Sequence, residues 1–296
     1  MSGARSNGMP FLVAAGGIAT FSLMDAFMKD LSISLGAYNA MLWRLAAGLV
    51  IGAVLFLFSR RRWPAGSALK LHWMRGAITA AMATSFFWGL ARVPIAEAIA
   101  LSFIAPLITL YLAAVMLGER IGRESVIASL LGLVGVIVIL SARIGGRYEA
   151  DVLLGIGAIL VSAVLYAFNL ILQRRQAQIS SPVEIVFFQN LTALSVMLLA
   201  APVFAAVPPM ADAPAIVASA ALAAVSLLLL SWAYARAEAQ VLVPVEYTAF
   251  VWAAILGWLY FDEALTATTV IGTVLIVAGC IIAARRRPVH VEATAL

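Results

Sequence analysis

The chain has 296 residues, of which 64% are hydrophobic and 11% are charged, and its mean hydropathy is +1.06. A soluble domain carries about 25% charged residues, so this composition excludes a single soluble core and favours lipid as the surrounding solvent. The net charge of +5 comes from basic residues grouped in short gaps between apolar runs. That grouping is typical of a membrane protein and not of a nucleic-acid-binding surface.

Ten apolar runs follow one another along the chain, and each is long enough to cross a bilayer as a helix. They lie at about 10–28, 36–58, 71–92, 94–117, 124–143, 152–172, 183–207, 213–235, 241–261 and 267–284. We interpret the first run as a retained helix, since no clear small-residue cleavage site follows it and nine more runs do. A segment in lipid must satisfy its own backbone hydrogen bonds. The sequence therefore predicts an all-α integral membrane protein with ten transmembrane helices.

The lysine and arginine residues predict the orientation of these helices. With the N-terminus in the cytoplasm, fourteen basic residues, Arg75 among them, fall on the inner side. Four fall on the outer side: Lys29, Arg92, Arg143 and Arg147. Because cytoplasmic loops are enriched in Lys and Arg, we predict a bacterial inner (plasma) membrane protein with both termini cytoplasmic.

The chain contains an internal repeat at a spacing of 144 residues. The pentapeptide WGLAR (88–92) returns as WAYAR (232–236), and the match continues without a gap through the pairs Glu119/Glu263 and Gly135/Gly279. Each half holds five predicted helices, and because five is odd the second half must enter the membrane inverted. We predict a first repeat at 1–145, a second, inverted repeat at 150–287 and a cytoplasmic tail at 288–296.

The residues that carry a family resemblance surround the fourth predicted helix of each half. They are VPIAEAIALSFIAPLITLYLAAVMLGERIG (93–122) and VLVPVEYTAFVWAAILGWLYFDEALTATTVIGTVLIVAG (241–279). A proline-bearing helix, a following glutamate and a glycine-bearing helix resemble the EamA repeat of the drug/metabolite transporter superfamily. Within it, the chain as a whole is similar to the YddG-type aromatic amino acid exporters. This resemblance implies ten helices in two copies and the transport of small metabolites.

Two polar positions in corresponding helices are candidates for binding a substrate. Arg44 lies inside the second predicted helix, where its guanidinium suits a substrate carboxylate. The alternative is a side chain that reaches the headgroups or bonds helix-end carbonyls. Asn190, its rough counterpart in the seventh helix, either contacts a cavity or joins two helices.

Two acidic residues are candidates for coupling transport to protons. Asp25 carries a proton or binds a substrate amine, unless it forms a structural pair with Lys29 one turn later. Glu246, two residues after Pro244, either binds substrate or a proton or pairs with a neighbour at the inner face. Pro244 and Pro106 remove backbone donors, so we predict helix breaks or gates at these positions.

Aromatic residues of the repeated helices are candidates for lining a cavity that accepts apolar or aromatic side chains. An aromatic side chain on a membrane helix more commonly faces lipid or the protein core. The predicted cavity residues are Trp88, Phe103, Tyr166 and Tyr247.

The sequence lacks a phosphate-binding loop, a His/Cys cluster and a nucleophile motif, so it predicts no enzyme, no cofactor and no metal site. We predict a monomeric inner-membrane exporter of amino acids, with aromatic or apolar ones preferred, that works by alternating access. Its predicted partners are small metabolites and the lipid bilayer, and not nucleic acid. The alternative is a broad-specificity efflux transporter for cationic drugs or other amphiphilic metabolites.

Overall fold

The structure is a computed structural model that describes residues 8–59, 63–64, 66–105, 107–108, 111–112, 123–141, 150–234 and 247–284. These residues contain helices, turns and loops, and no strand. The helices of eight or more residues are α1 Gly8–Leu35, α2 Ala37–Phe58, α3 Ser67–Leu90, α4 Ile95–Ser102, α5 Arg123–Ser141, α6 Ala150–Ile179, α7 Pro182–Leu198, α8 Ala213–Tyr234, α9 Thr248–Phe261 and α10 Ala267–Ala284.

Each predicted apolar run contains one of these helices, although the boundaries differ. Four described segments are long and apolar enough to cross a membrane by length and composition: Met9–Leu35, Ala37–Phe58, Ala150–Gln173 and Met210–Ala233. One boundary difference is at α7, which ends at Leu198, well before the predicted residue 207. A one-turn helix, Ala201–Phe204, and an extended stretch up to Pro209 follow it, since Pro202, Pro208 and Pro209 cannot continue a regular helix.

Helix packing in the bundle follows the two halves of the sequence. The most extensive contacts are α5 with α10, α1 with α8, α3 with α6, and α2 with α7. Under the repeat, α1 corresponds to α6, α3 to α8, and so on. The α1–α8 contact is therefore equivalent to the α6–α3 contact, whereas α2–α7 and α5–α10 are contacts between a helix and its own counterpart. The halves therefore pack against each other through equivalent surfaces.

Glycines allow the closest of these contacts. A Cβ atom added to Gly135 of α5 would lie 2.6 Å from the carbonyl oxygen of Gly272, and one added to Gly272 of α10 would lie 2.5 Å from the carbonyl oxygen of Gly135. No side chain fits at those distances. The glycine-bearing helices of the two copies therefore meet backbone to backbone at Gly135 and Gly272.

The bundle buries polar residues and exposes apolar ones. Asp25, Lys29 and His72 are at most 4% exposed, whereas Phe58 and Leu199 are more than 80% exposed. This is the reverse of a soluble protein, in which charged residues are rarely buried. It fits a chain whose outer surface contacts hydrocarbon.

Candidate functional site

One end of the bundle is closed by a buried ion pair. Lys29 of α1 pairs with Glu263, in the loop after α9, and also donates to the carbonyl oxygen of Val93 at 2.8 Å. The second carboxylate oxygen of Glu263 accepts from the backbone nitrogen of Ile95, the first residue of α4, at 2.8 Å. We call this end the Lys29 end. Glu263 thus links three chain segments: α1, its own loop after α9 and the start of α4.

Asp25 does not pair with Lys29, so the predicted structural pair is wrong. The Asp25 side chain is buried in α1, and neither carboxylate oxygen has a hydrogen-bond partner. Its charge interacts electrostatically with that of Arg44 in α2, although no hydrogen bond joins them. A buried carboxylate without a partner is costly, so Asp25 requires either a proton or a ligand.

Arg44 has unused hydrogen-bonding capacity beside Asp25. Its Nη2 atom donates to the sulfur of Met41 at 3.1 Å, and its buried Nε atom has no partner. The residue as a whole is half-buried. On α7, the amide oxygen of Gln189 is also buried without a partner.

Asn190 and Trp88 have partners within the protein. Asn190 donates to the carbonyl oxygen of Val186 at 2.8 Å in its own helix, and it packs against Gly48 of α2. Trp88 lies under the guanidinium of Arg92, whose carbon is 3.5 Å from the ring centroid. Arg92 in turn bonds Asp151 of α6 at 3.0 Å. Both candidates therefore connect helices where the structure describes them.

Phe103 and Tyr247 meet at the interface of the two halves. They are equivalent residues under the 144-residue repeat, and their ring centroids are 5.4 Å apart in an edge-to-face arrangement. Tyr166 lies on α6 and interacts electrostatically with Arg75 of α3. The remaining candidates, Pro106, Pro244 and Glu246, lie outside the described residues.

The opposite end of the bundle contains a hydrogen-bonded chain of buried polar residues that we did not predict. We call this end of the bundle the His72 end. Arg75 donates to Gln176 and, through Nε, to Asn169 at 3.1 Å. Gln176 lies 2.6 Å from His72 Nδ1, and His72 Nε2 lies 3.0 Å from a carboxylate oxygen of Glu184.

Arg75 lies in α3, within the predicted run 71–92, and it is 3% exposed. Its burial among polar side chains was not predicted. A polar residue every three or four positions at the start of α3 (His72, Arg75 and Thr79) was the available signal, because such residues share one helix face. Among the described residues, no group of three or more His, Cys, Asp or Glu side chains could hold a metal ion.

Comparisons with known proteins agree with a transporter. The chain is 28% identical over 283 residues to a protein of Pseudomonas aeruginosa named "Pseudopaline exporter CntI", covering 90% of this chain and 93% of the relative. It is 22% identical over 260 residues to an "S-adenosylmethionine uptake transporter" of Rickettsia bellii, covering 88% of each chain. A crystal structure 22% identical in sequence has the same fold, with a TM-score of 0.63 over 93% of this chain and 96% of that one.

The family comparison covers both halves of the chain. The profile of the EamA-like transporter family matches residues 8–141 and matches again at residues 153–285. These two matches correspond to the two copies of the repeat seen in the sequence and in the helix contacts. The chain therefore belongs to the EamA-like transporter family.

Proposed function

We propose that the protein exports amino acids, with aromatic or apolar ones preferred, across the bacterial inner membrane by alternating access. Ten helices span the membrane as two inverted five-helix repeats, at 1–145 and 150–287. Both termini are cytoplasmic, so the Lys29 end faces outward and the His72 end faces inward. The protein acts as a monomer, and the substrate passes between the two halves.

The observation that carries this proposal is the pair of incompletely bonded opposite charges on Asp25 and Arg44. An α-amino acid has a carboxylate and an ammonium group two bonds apart. Arg44 has free N–H capacity that suits a carboxylate, and both oxygens of Asp25 are free to accept from an ammonium group. A zwitterion between them satisfies both side chains without adding net charge to the bundle.

The depth of the two residues supports the same reading. Asp25 precedes the end of α1 at Leu35 by ten residues, and Arg44 follows the start of α2 at Ala37 by seven. At 1.5 Å per residue these positions are about 15 Å and about 10 Å from the ends of their helices at Leu35 and Ala37. Since the hydrocarbon core is about 30 Å thick, both charges lie between its surface and its middle, where transporters bind substrate.

The aromatic contact between the halves supports a preference for apolar side chains. Phe103 and Tyr247 bring equivalent positions of α4 and of the segment before α9 together. Movement of one half relative to the other separates these rings and makes an apolar surface available to a substrate. The relatives add a chemical argument, since S-adenosylmethionine, named as the substrate of one of them, contains an α-amino acid group.

The proposal is tested with substrate analogues that lack one charge. Purified protein in proteoliposomes is loaded with phenylalanine, and counterflow of the labelled amino acid is measured against phenylalanine, phenylalaninamide and N-acetylphenylalanine. We expect each analogue to compete at least tenfold more weakly than phenylalanine, because it loses one charge-assisted hydrogen bond. Arg44→Gln should remove the discrimination against the amide, and Asp25→Asn the discrimination against the N-acetyl compound.

Matched controls exist for both variants. Asp30→Asn removes an exposed carboxylate from the same helix as Asp25, and Arg175→Gln removes an exposed guanidinium from α6. Both should retain wild-type discrimination. Competition by tetraphenylphosphonium with none by phenylalanine would contradict amino acid export and favour the efflux of cationic drugs. Unchanged discrimination in Arg44→Gln would contradict the placement of the site.

Coupling to protons is a separate part of the proposal. Asp25 and Glu246 are the acidic candidates, and a proton on either would cross the membrane as the halves exchange conformation. An outward flux that follows an imposed pH gradient in the wild type, but not in Asp25→Asn or Glu246→Gln, identifies the carrier. Flux that ignores the gradient in all three proteins means facilitated diffusion.

A further inference from the structure

The chain of hydrogen bonds that runs from Arg75 to Glu184 contains one histidine, His72, whose hydrogen bonds are fixed by its neighbours. It joins three helices at the His72 end: Arg75 and His72 come from α3, Gln176 from α6 and Glu184 from α7. The side chain of His72 is 0% exposed. The chain therefore connects a guanidinium to a carboxylate through two neutral groups inside the protein.

The direction of each hydrogen bond follows from the chemistry of its two ends. Arginine only donates, so the oxygen of Gln176 faces Arg75 and its NH2 group faces His72. That NH2 group only donates, so Nδ1 of His72 accepts and carries no proton. A neutral imidazole then has its proton on Nε2, which donates to Glu184. The chain holds His72 in a single tautomer.

A second proton on His72 is incompatible with this arrangement. Protonation of Nδ1 places an N–H group 2.6 Å from the amide nitrogen of Gln176, so two donors face each other. Rotating the amide by half a turn relieves that contact, but it directs the NH2 group at Arg75, which is also a donor. One link between α3 and α6 must break in either case.

The charged groups around His72 have opposite effects on its protonation. Glu184 of α7 accepts from Nε2 and attracts an imidazolium, whereas Arg75, one turn along α3, repels it. Ser180, the residue after α6, donates to Glu184 at 2.8 Å and lies 3.3 Å from Nε2, and Phe188 of α7 packs against the ring. Protonation therefore keeps the link from His72 to α7 and breaks one of the links between α3 and α6.

The equivalent pair of helices has an apolar residue where this chain has His72. The contact between α1 and α8 is the counterpart of that between α3 and α6. Under the repeat, Ile216 and Ser219 occupy the positions of His72 and Arg75, and Ser219 donates to the carbonyl oxygen of Ile216 in its own helix. The same helix packing therefore forms with an apolar residue at this position, and the histidine adds a group that can bind a proton.

We propose that His72 is a proton-binding site, and that its protonation at Nδ1 breaks one of the links between α3 and α6 at the His72 end. The proton comes from solvent, and the only bond lost is a hydrogen bond of Gln176. If the proposed transport cycle is correct, proton binding favours opening of the cytoplasmic side. The site itself is independent of the substrate, so it can be tested without transport.

The test uses the small number of histidines. The chain has two, so the full-length His290→Gln variant, labelled with ¹⁵N-histidine in lipid nanodiscs, reports on His72 alone. We expect NMR at pH 8 to show the neutral tautomer with its proton on Nε2. On acidification to pH 4.5, we expect a proton on Nδ1 together with about tenfold faster hydrogen exchange at the end of α6, the effect of losing one hydrogen bond to a charged group.

A second variant separates the switch from a general effect of acid. In Gln176→Glu the new carboxylate accepts from both Arg75 and a protonated His72, so protonation should no longer accelerate exchange. A proton on Nδ1 at pH 8, no protonation of His72 down to pH 4.5, or protonation with unchanged exchange in the parent would each overturn the proposal. None of these results depends on amino acid transport, so failure of the proposed function would remain distinguishable.

Discussion

Two arginines inside the same bundle have different surroundings. Arg75 donates to two amide side chains and is linked through Gln176 and His72 to a carboxylate. Arg44 has a sulfur atom as the acceptor for one nitrogen and none for its buried Nε atom. The charge nearest to it, on Asp25, has no hydrogen bond at all.

The difference separates a stabilising arginine from one available to a ligand. A buried polar group normally finds a partner within the protein, and one that does not indicates an absent water, ion or substrate. Arg75 joins helices, so removing it should affect folding. Arg44 and Asp25 retain unmet hydrogen-bonding capacity, so removing either should affect transport more than stability.

The largest expected effect comes from the Lys29 end, where a buried lysine is paired with Glu263. Glu263→Gln leaves Lys29, which is 4% exposed, without this hydrogen-bonded counter-ion, although the charge of Glu97 still acts on it. We expect a loss of about 3 kcal/mol in the free energy of unfolding, because breaking a buried ion pair by removing one partner is strongly destabilising. The measurement is denaturant or thermal unfolding in detergent at fixed pH. Lys29→Met combined with Glu263→Gln should recover part of the loss, and no recovery would mean that Glu263 acts through Ile95 alone.

The second prediction tests the comparison of the arginines directly. Arg75→Gln leaves the oxygens of Asn169 and Gln176 without their charged donor, so we expect a loss of about 2–3 kcal/mol. Arg44→Gln removes a group whose Nε atom is already unpartnered, so we expect a change within about 1 kcal/mol together with at least a tenfold loss of flux. Unfolding and counterflow are measured on the same preparations. Equal destabilisation by both substitutions would remove the distinction.

The smallest expected change in unfolding free energy concerns the interface between the two halves. Phe103→Leu, Tyr247→Leu and the double variant form a cycle for two rings in edge-to-face contact. We expect a coupling energy of about 0.5–1.5 kcal/mol in the unfolding free energy. A coupling near zero would show that the rings do not interact in the resting state.

Some features of the structure could be predicted from the sequence, and others could not. The apolar runs predicted where the helices lie, because lipid-facing helices carry a strong and continuous signal. The repeat singled out Glu263, since a glutamate occurs at the same place in both halves. The partner considered for Lys29 was wrong: Asp25 is one turn away in sequence, but Glu263, 234 residues away, is the partner of Lys29 in space.

The candidate site could be predicted only as a set of residues. Arg44 and Asp25 are conspicuous in sequence because charges are costly in a membrane. Whether each has a hydrogen-bond partner depends on side chains of neighbouring helices, and these are distant in sequence, so the residues around Arg44 or Asp25 do not reveal them. The same limit explains why the hydrogen-bonded chain through Arg75 and His72 was missed.

The sequence by itself determined the solvent of this protein, the positions of its helices and its origin in two related halves, because hydrophobic length and repetition are properties of the chain alone. Only the tertiary structure decided which buried charges are bonded and which are free. Hydrogen bonds act over about 3 Å, so they depend on how helices distant in sequence pack against one another. That packing is what sets Arg44 and Asp25 apart from Arg75.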